Sequence, residues 1–279
     1  MSLYYDLHTH THHSDGLLCP RDLVREAHAS GIGGIALTDH DVTSGLQEAE
    51  ETAQELGLEL IPGVEVSVTW GGQTIHIVGI RIDSGHPGLQ AGLARLQAVR
   101  HERAEAMGER LSRCGIEGVY QGVLQQSHGM IVGRTHFARY LVAHGFAKDI
   151  RQAFKRYLRK GGSGYVATKW ASLGEAVGWI RAAAGVAVIA HPARYGLTSG
   201  ALRRLIEEFK EAGGAGIEVV SGSHNSEEVE RFAELSLIHG LLASAGSDYH
   251  GPGETRAAVG RLQPLPDRCT PLWSLWASS

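Results

Sequence analysis

Histidine is over-represented in this chain, at 16 of 279 residues, and imidazole is both a metal ligand and a proton carrier near neutral pH. The positions carry more information than the count. Asp6-Leu7-His8-Thr9-His10 sets two imidazoles two residues apart, so on an extended segment both face one side and can share an ion. Ser14-Asp15-Gly16 follows, and then come Thr38-Asp39-His40, Gly63-Val64-Glu65, His76, His191-Pro192 and Ser247-Asp248-Tyr249-His250. Mixed imidazole and carboxylate donors suit manganese, zinc or iron better than calcium or magnesium. The set is too large for one tetrahedral ion, which implies two or three divalent metals. Such a cluster makes water reactive at neutral pH and holds phosphoryl oxygens while a phosphate ester is cleaved. No GxSxG elbow or P-loop is present, which removes two competing mechanisms.

These residues need elements to bring them together. Leu3–Leu7 reads as a first strand, Arg21–Ala29 as a helix stopped by Gly31, and Gly34–Thr38 as a second strand. Thr43–Leu56 reads as a helix with Thr43 as its N-cap and Gly57 as its stop. Glu59–Val64 is a third strand, and Val66–Trp70 with Thr74–Ile80 form a hairpin turning at Gly71-Gly72. Later, helices at Leu173–Ala184, Ser199–Ala212 and Ser226–His239 alternate with strands at Val186–Ala190, Ile217–Val220 and Leu241–Ala245. This βα alternation implies a parallel sheet, and its length suits a closed or nearly closed α/β barrel. Each chemical cluster then falls at or near the C-terminal end of a strand, where a barrel's strands converge on one mouth. A single histidine at a strand end is usually just a solvated side chain. Six such ends delivering His, Asp or Glu are not explained that way.

Between the halves the pattern changes. His86–Arg113 is a long charged helix, followed by helical stretches at Gly133–Gly145 and Asp149–Leu158. The expected organisation is a barrel from 1–84 and 166–279, interrupted by a mostly helical insertion or cap over 85–165.

Composition sets the outer bounds. A hydrophobic share of 43% supports a sizeable core, and the formal charge of -4 argues against an electrostatic grip on long duplex nucleic acid. Cys19, Cys114 and Cys269 show neither close pairing nor CxxC spacing, so reduced thiols in a cytoplasmic protein are expected. The first residues lack a signal-peptide pattern, and no apolar run is long enough for a bilayer, so no membrane partner is expected. A monomer acting on a small phosphorylated nucleotide or short oligonucleotide is the expected state.

The ordered clusters resemble the polymerase and histidinol phosphatase (PHP) family of metal-dependent phosphoesterases, and the resemblance spans the whole barrel. It implies a distorted seven-stranded (β/α)7 barrel with a three-metal template. His8, His10, Glu65 and Asp248 would hold one ion, and Glu65, His76 and His191 the next. Asp15, His40 and His250 would hold the third, most often manganese in such a donor set, with zinc or iron as alternatives. Glu65 would bridge the first two with a hydroxide between them, which places Glu65, His191, Asp248 and His250 at the reacting centre. Gly133-Arg134-Thr135-His136-Phe137-Ala138-Arg139-Tyr140 resembles the TrpH-like branch. That branch implies removal of the 3′-phosphate from nucleoside 3′,5′-bisphosphates and trimming of short RNA from its 5′ end. Alternatives are a phosphatase on another small ester such as histidinol phosphate, or a non-catalytic metal-binding barrel.

Outside the metal set, Arg134 and His136 stand at a helix start, where backbone N–H groups favour anions, and guanidinium takes phosphate bidentately. Lys169 and Arg194 are further substrate-binding candidates near the mouth. Asp39 and Glu218 are expected to orient ligand imidazoles, as metal sites commonly require; for Glu218 a structural salt bridge is an equal alternative. His12, His13, His28, His101, His128, His144 and His239 read as solvated or packed, and Trp273 and Trp276 as cover for apolar surface.

Overall fold

In the computed structural model, which describes residues 4–127 and 131–276, seven strands form one sheet in chain order. They are β1 (Tyr5–Thr9), β2 (Gly34–Leu37), β3 (Glu59–Trp70), β4 (Gln73–Ile80), β5 (Val186–Ile189), β6 (Gly216–Ser221) and β7 (Leu242–Gly246). The sheet nearly closes just beyond β7, where the Asp248 N–H donates to the His8 carbonyl at 2.8 Å and the His10 N–H to the Tyr249 carbonyl at 2.9 Å. The barrel expectation therefore holds. Leu3 and His128 lie outside the described residues.

The sheet is not wholly parallel, as the βα alternation had implied. Strand β4 runs antiparallel to both β3 and β5. The hairpin turns at Gly71 and Gly72, both at positive φ, which only glycine adopts without strain. The two strands expected over Glu59–Val64 and Val66–Trp70 are one strand of 12 residues. Its first part pairs with β2 up to Pro62 and its second part with β4 from Gly63. No turn residue separates Val64 from Val66, so the chain has no reason to break there, and Glu65 sits inside a strand rather than at its end.

Alternation along these strands sorts core from chemistry. Val64, Val66 and Val68 enter the largest apolar cluster. Glu65 and Ser67 therefore face the other way. Ile75 and Ile77 enter the same cluster and leave His76 on the opposite side.

Helices α1 (Pro20–Ser30) and α2 (Leu46–Leu56) both end on left-handed glycines, Gly31 and Gly57, as the sequence indicates. Thr43 does not cap α2; Gly45 occupies the N-cap, and Thr43 instead accepts a hydrogen bond from Gln90. Between β4 and β5 lie α3 (Pro87–Ser112), α4 (Val119–Gln126), α5 (Arg134–Ala143), α6 (Ile150–Ala153) with a π-helical turn at Phe154–Leu158, and α7 (Leu173–Ala182). Of these, α4 is absent from the sequence reading. Met107, Leu111, Val123, Phe137, Leu141 and Leu158 give α3 to α6 an apolar cluster of their own. Helices α8 (Ser199–Glu211) and α9 (Ser226–His239) complete the later half.

The C-terminal tryptophans cover apolar surface, Trp273 and Trp276 both packing on Tyr5. Among the described residues no helix is long and apolar enough to cross a membrane, and the three cysteines are unpaired.

Candidate metal centre and adjoining cavity

Glu65 is the hub. Its carboxylate is buried, with Oε1 at 2.9 Å from His76 Nδ1, 3.0 Å from His191 Nε2 and 3.4 Å from His8 Nε2. Its Oε2 lies 2.7 Å from His40 Nδ1 and 3.4 Å from His10 Nε2. Asp248 Oδ1 adds contacts at 3.3 Å to His10 Nε2 and 3.6 Å to His8 Nε2. On the far side of His10, Asp15 Oδ1 is 3.2 Å from His250 Nε2 and 3.7 Å from His40 Nε2. All nine positions expected to hold metal thus converge, although they are scattered from residue 8 to residue 250.

The donor set fits divalent metal. Three groups each bring ligand atoms within 4.8 Å of one another: His8, His10 and Glu65; His40, Glu65 and His76; and His10, Asp15, His40 and His250. Asp15 Oδ1, His40 Nδ1, Glu65 Oε2 and His191 Nδ1 are buried and none makes a contact of hydrogen-bond geometry, although His40 Nδ1 and Glu65 Oε2 face each other at 2.7 Å. Orphaned polar atoms are rare in native interiors and call for an ion or water. Imidazole nitrogens of His8 and His10 approach to 3.1 Å, and those of His76 and His191 to 3.4 Å. A cation between such nitrogens would take a lone pair from each ring. One detail departs from the expected grouping: His40 reaches toward Glu65 as well as Asp15, so it stands between two of the three groups.

Burial and neighbouring charge act on the cluster in opposite directions. Burial alone would raise the carboxyls of Glu65, Asp15 and Asp248, but the surrounding imidazoles, with Arg194 beside Asp248, outweigh it and hold all three below the usual range. Burial drives His10 down to about 3 and His76 to about 4, which keeps those rings neutral and able to donate lone pairs. At His250 burial is opposed and overcome by the charge of Asp15, which lifts it to about 9.

Backbone features serve this convergence. His191 and Asp248 both adopt left-handed backbone, with φ of 26° and 53°, a strain that clusters at functional sites. Gly246 has no Cβ because one would stand 2.2 Å from the His8 Cβ. Buried Asp6 accepts from the Ser247 N–H at 2.8 Å and the Gly260 N–H at 2.9 Å, fastening the chain on both sides of Asp248. The Tyr195 hydroxyl donates to the Ala190 carbonyl at 2.8 Å and accepts from the His76 N–H at 2.9 Å, tying β4 to the end of β5.

Glu218 does touch imidazole, its Oε1 lying 2.5 Å from His8 Nδ1. Asp39 does not. It accepts from the Thr11 N–H at 2.8 Å, the Thr11 hydroxyl at 2.6 Å and the Ser14 hydroxyl at 2.6 Å. It orders the loop after His10 and reaches the His10 ring through Ser14, whose hydroxyl lies 3.4 Å from His10 Nδ1. Burial lifts its carboxyl to about 6 against those donors.

A cavity of about 290 Å³ opens onto the centre. Asp248, His250 and Arg194, whose guanidinium pairs with Asp248, line it together with Arg100, Arg103 and Arg134. Arg100 is committed to Asp41 at 2.6 Å and to the Ser67 hydroxyl at 2.9 Å. Arg103 and Arg134 make no ion pair among the described residues; their guanidiniums lie over the rings of Trp170 and Phe154. Arg103 Nε is buried without a partner. Burial and the neighbouring arginines both work against its charge.

Two expected substrate contacts are placed differently. His136 is buried, and its Nδ1 accepts from the Gly133 N–H at 3.0 Å, so it caps its own helix while Gly133, Arg134 and Thr135 line the cavity. Lys169 is exposed and is not among the cavity's lining residues; Trp170, whose backbone is fixed by Thr69, takes that place. Arg100 and Arg103 were missed. The available signal was Arg100 itself, a charge standing on the stripe of Leu89, Leu93 and Leu96 that α3 buries.

Comparison with known proteins agrees with this arrangement. The model of the family described as PHP domain matches residues 6–219. A 3′,5′-nucleoside bisphosphate phosphatase of Chromobacterium violaceum is 48% identical over 269 residues, covering 96% of this chain and 94% of that protein. A 5′-3′ exoribonuclease of Haemophilus influenzae is 41% identical, covering 98% of this chain and 99% of that one. A solved structure from Bifidobacterium adolescentis, described as a candidate metal-dependent phosphoesterase, superimposes with a TM-score of 0.82 at 30% identity, covering 99% of this chain and 95% of that one.

Proposed function

Because this chain belongs to the PHP family of metal-dependent phosphoesterases, we propose that it removes the 3′-phosphate of nucleoside 3′,5′-bisphosphates, giving 5′-mononucleotide and phosphate, and trims short RNA from the 5′ end. One observation carries this reading: a single cavity is lined both by the His/Asp/Glu cluster, which would take a phosphate through its ions, and by the Arg103–Arg134 pair. A mononucleotide bearing two phosphates is the simplest ligand that satisfies both. The relatives named above act on substrates of these two kinds by their names.

In this reading His8, His10, Glu65 and Asp248 hold one ion, Glu65, His76 and His191 a second, and Asp15, His40 and His250 a third. When bound, such ions, manganese in our assignment, supply Lewis acidity and activate water at neutral pH. The protein supplies position. Arg194, steadied by Asp248, faces the phosphate to be cleaved. Arg103 and Arg134 take the 5′-phosphate, and the walls of Trp170 and Phe154 beneath their guanidiniums keep both cations facing the cavity. Fixing both phosphates places the ester in register with the cluster before reaction. The helices over 85–165 act as a cap, pinned to the barrel loops by Arg100 on Asp41 and by Arg139 on the Asp15 carbonyl at 2.7 Å and on Glu254. Neutral His136 shapes the start of α5 so that Arg134 is presented.

The test is a paired assay with manganese. Adenosine 3′,5′-bisphosphate should yield the 5′-monophosphate at far higher kcat/KM than the 3′-monophosphate, which lacks the anchoring group. Equal rates on both, or release of the 5′-phosphate first, would overturn the reading.

A further inference from the structure

A second cavity, of about 340 Å³, shares Thr135, Phe154, Arg194, Asp248 and His250 with the first and extends past Gly222 and Ser223 to Arg256. A third, of about 380 Å³, continues it from Gly222 and Arg256 to Asn225, Arg261 and Gln263. Together they form one groove that leaves the candidate metal centre between the β6–α9 connection and the loop after β7.

We propose that this groove is the path of the RNA chain beyond its first nucleotide, with Arg256 and Arg261 contacting downstream phosphates. The inference rests on the function proposed above, and direction is its first support. With the 5′-phosphate on Arg103 and Arg134, the phosphodiester after the first nucleotide lies at Asp248 and His250 of the metal cluster. The rest of the strand must then leave past those two residues, where this groove begins.

Charge is the second support. The acids along the first part of the groove are already matched, Asp248 by Arg194 and Glu254 by Arg139 at 3.2 Å. Arg256 and Arg261 are exposed and make no ion pair among the described residues. The groove therefore carries surplus positive charge in a protein whose formal charge is -4. Ser223, Asn225 and Gln263 add neutral hydrogen-bonding groups. Such a short basic track suits a few nucleotides of single strand rather than a long duplex.

The floor is the third. Gly222 donates to the Gly246 carbonyl at 3.0 Å, and a Cβ at Gly222 would stand 2.1 Å from the Ser247 carbonyl oxygen. The backbone is pressed against the end of β7 where the two cavities share Gly222, and that position has no room for a side chain.

The experiment uses the full chain loaded with manganese, 5′-phosphorylated RNAs of two to six nucleotides, and the double substitution Arg256→Glu with Arg261→Glu. Adenosine 3′,5′-bisphosphate serves as the control substrate. For the unaltered protein, kcat/KM should rise with RNA length over the first few nucleotides and then level. The double variant should lose that gain, about tenfold, through KM rather than kcat, and keep its rate on the bisphosphate. The log–log salt dependence for RNA should also flatten by about 0.7 for each phosphate contact removed. An unchanged length dependence and salt slope, with bisphosphate hydrolysis intact, would overturn the groove and leave the function standing. If the unaltered protein cleaves neither substrate, the function falls and the groove falls with it.

Discussion

Glu218 lies 2.5 Å from Nδ1 of His8 across 210 positions of chain. Its other oxygen accepts the backbone N–H of His191 at 2.5 Å, so one buried carboxylate fixes a ring on β1 and the left-handed backbone after β5 at once. The Nδ1 contact leaves Nε2 of His8 directed at Glu65 and Asp248.

Glu218→Gln should therefore weaken metal binding and turnover together. Loss of a carboxylate that orients a metal-binding imidazole typically costs about 10- to 100-fold. Metal titration by calorimetry, alongside kcat at saturating manganese, should show both effects with the fold retained by circular dichroism.

Chelation should abolish turnover and lower Tm, and manganese should restore both. The physical reason is the group of buried ligand atoms at Asp15, His40, Glu65 and His191 that lack hydrogen-bond geometry. Free metal at 100 times its Kd would stabilise the fold by about 2.7 kcal/mol. A chelated protein with unchanged Tm in differential scanning calorimetry would contradict this.

Arg103→Ala and Arg134→Ala should each lower kcat/KM for a 3′,5′-bisphosphate by about 10- to 100-fold, the worth of a charge-assisted hydrogen bond to phosphate. The same variants should change hydrolysis of a 3′-monophosphate little. Measuring both substrates separates a lost 5′-phosphate contact from a disturbed metal centre.

At the start of α7, Ser172 and Glu175 form a capping box, and Arg95 adds a bond at 2.9 Å. Hydrogen bonds from the Ser172 N–H and hydroxyl hold the Glu175 carboxyl down at about 2. A depressed carboxyl stabilises the fold above its ordinary value of 4.5 and loses that contribution as pH falls through about 2. Glu175→Gln should thus lower stability most at pH 7 and progressively less below pH 4.5. Ser172→Ala should cost about 1 kcal/mol, as lost caps do, which denaturant unfolding would resolve.

Gly246→Ala should damage the site and the fold together, since the added methyl would meet His8 at 2.2 Å. Overpacking of this kind costs about 1–3 kcal/mol. Reduced metal content at a lowered unfolding midpoint is the expected result.

Much of this was legible in the chain alone. Helix ends at Gly31 and Gly57, the hairpin at Gly71-Gly72 and the βα rhythm are local signals, because glycine's backbone freedom and apolar periodicity act over a few residues. The clusters around His8, His40, His191 and Asp248 were visible for the same reason, as short runs of unusual chemistry. What only the tertiary structure decided is who meets whom. Nothing near Glu65 announces that its strand continues for 12 residues and changes partner partway. Asp39 and Glu218 look alike in sequence, yet one reaches a ring through Ser14 and the other touches a ring directly, because only packing sets which atoms each carboxylate reaches. Arg100 and Arg103 face the cavity because α3 folds back over the barrel mouth. Such contacts depend on closing long stretches of chain, and a local pattern carries no record of that closure.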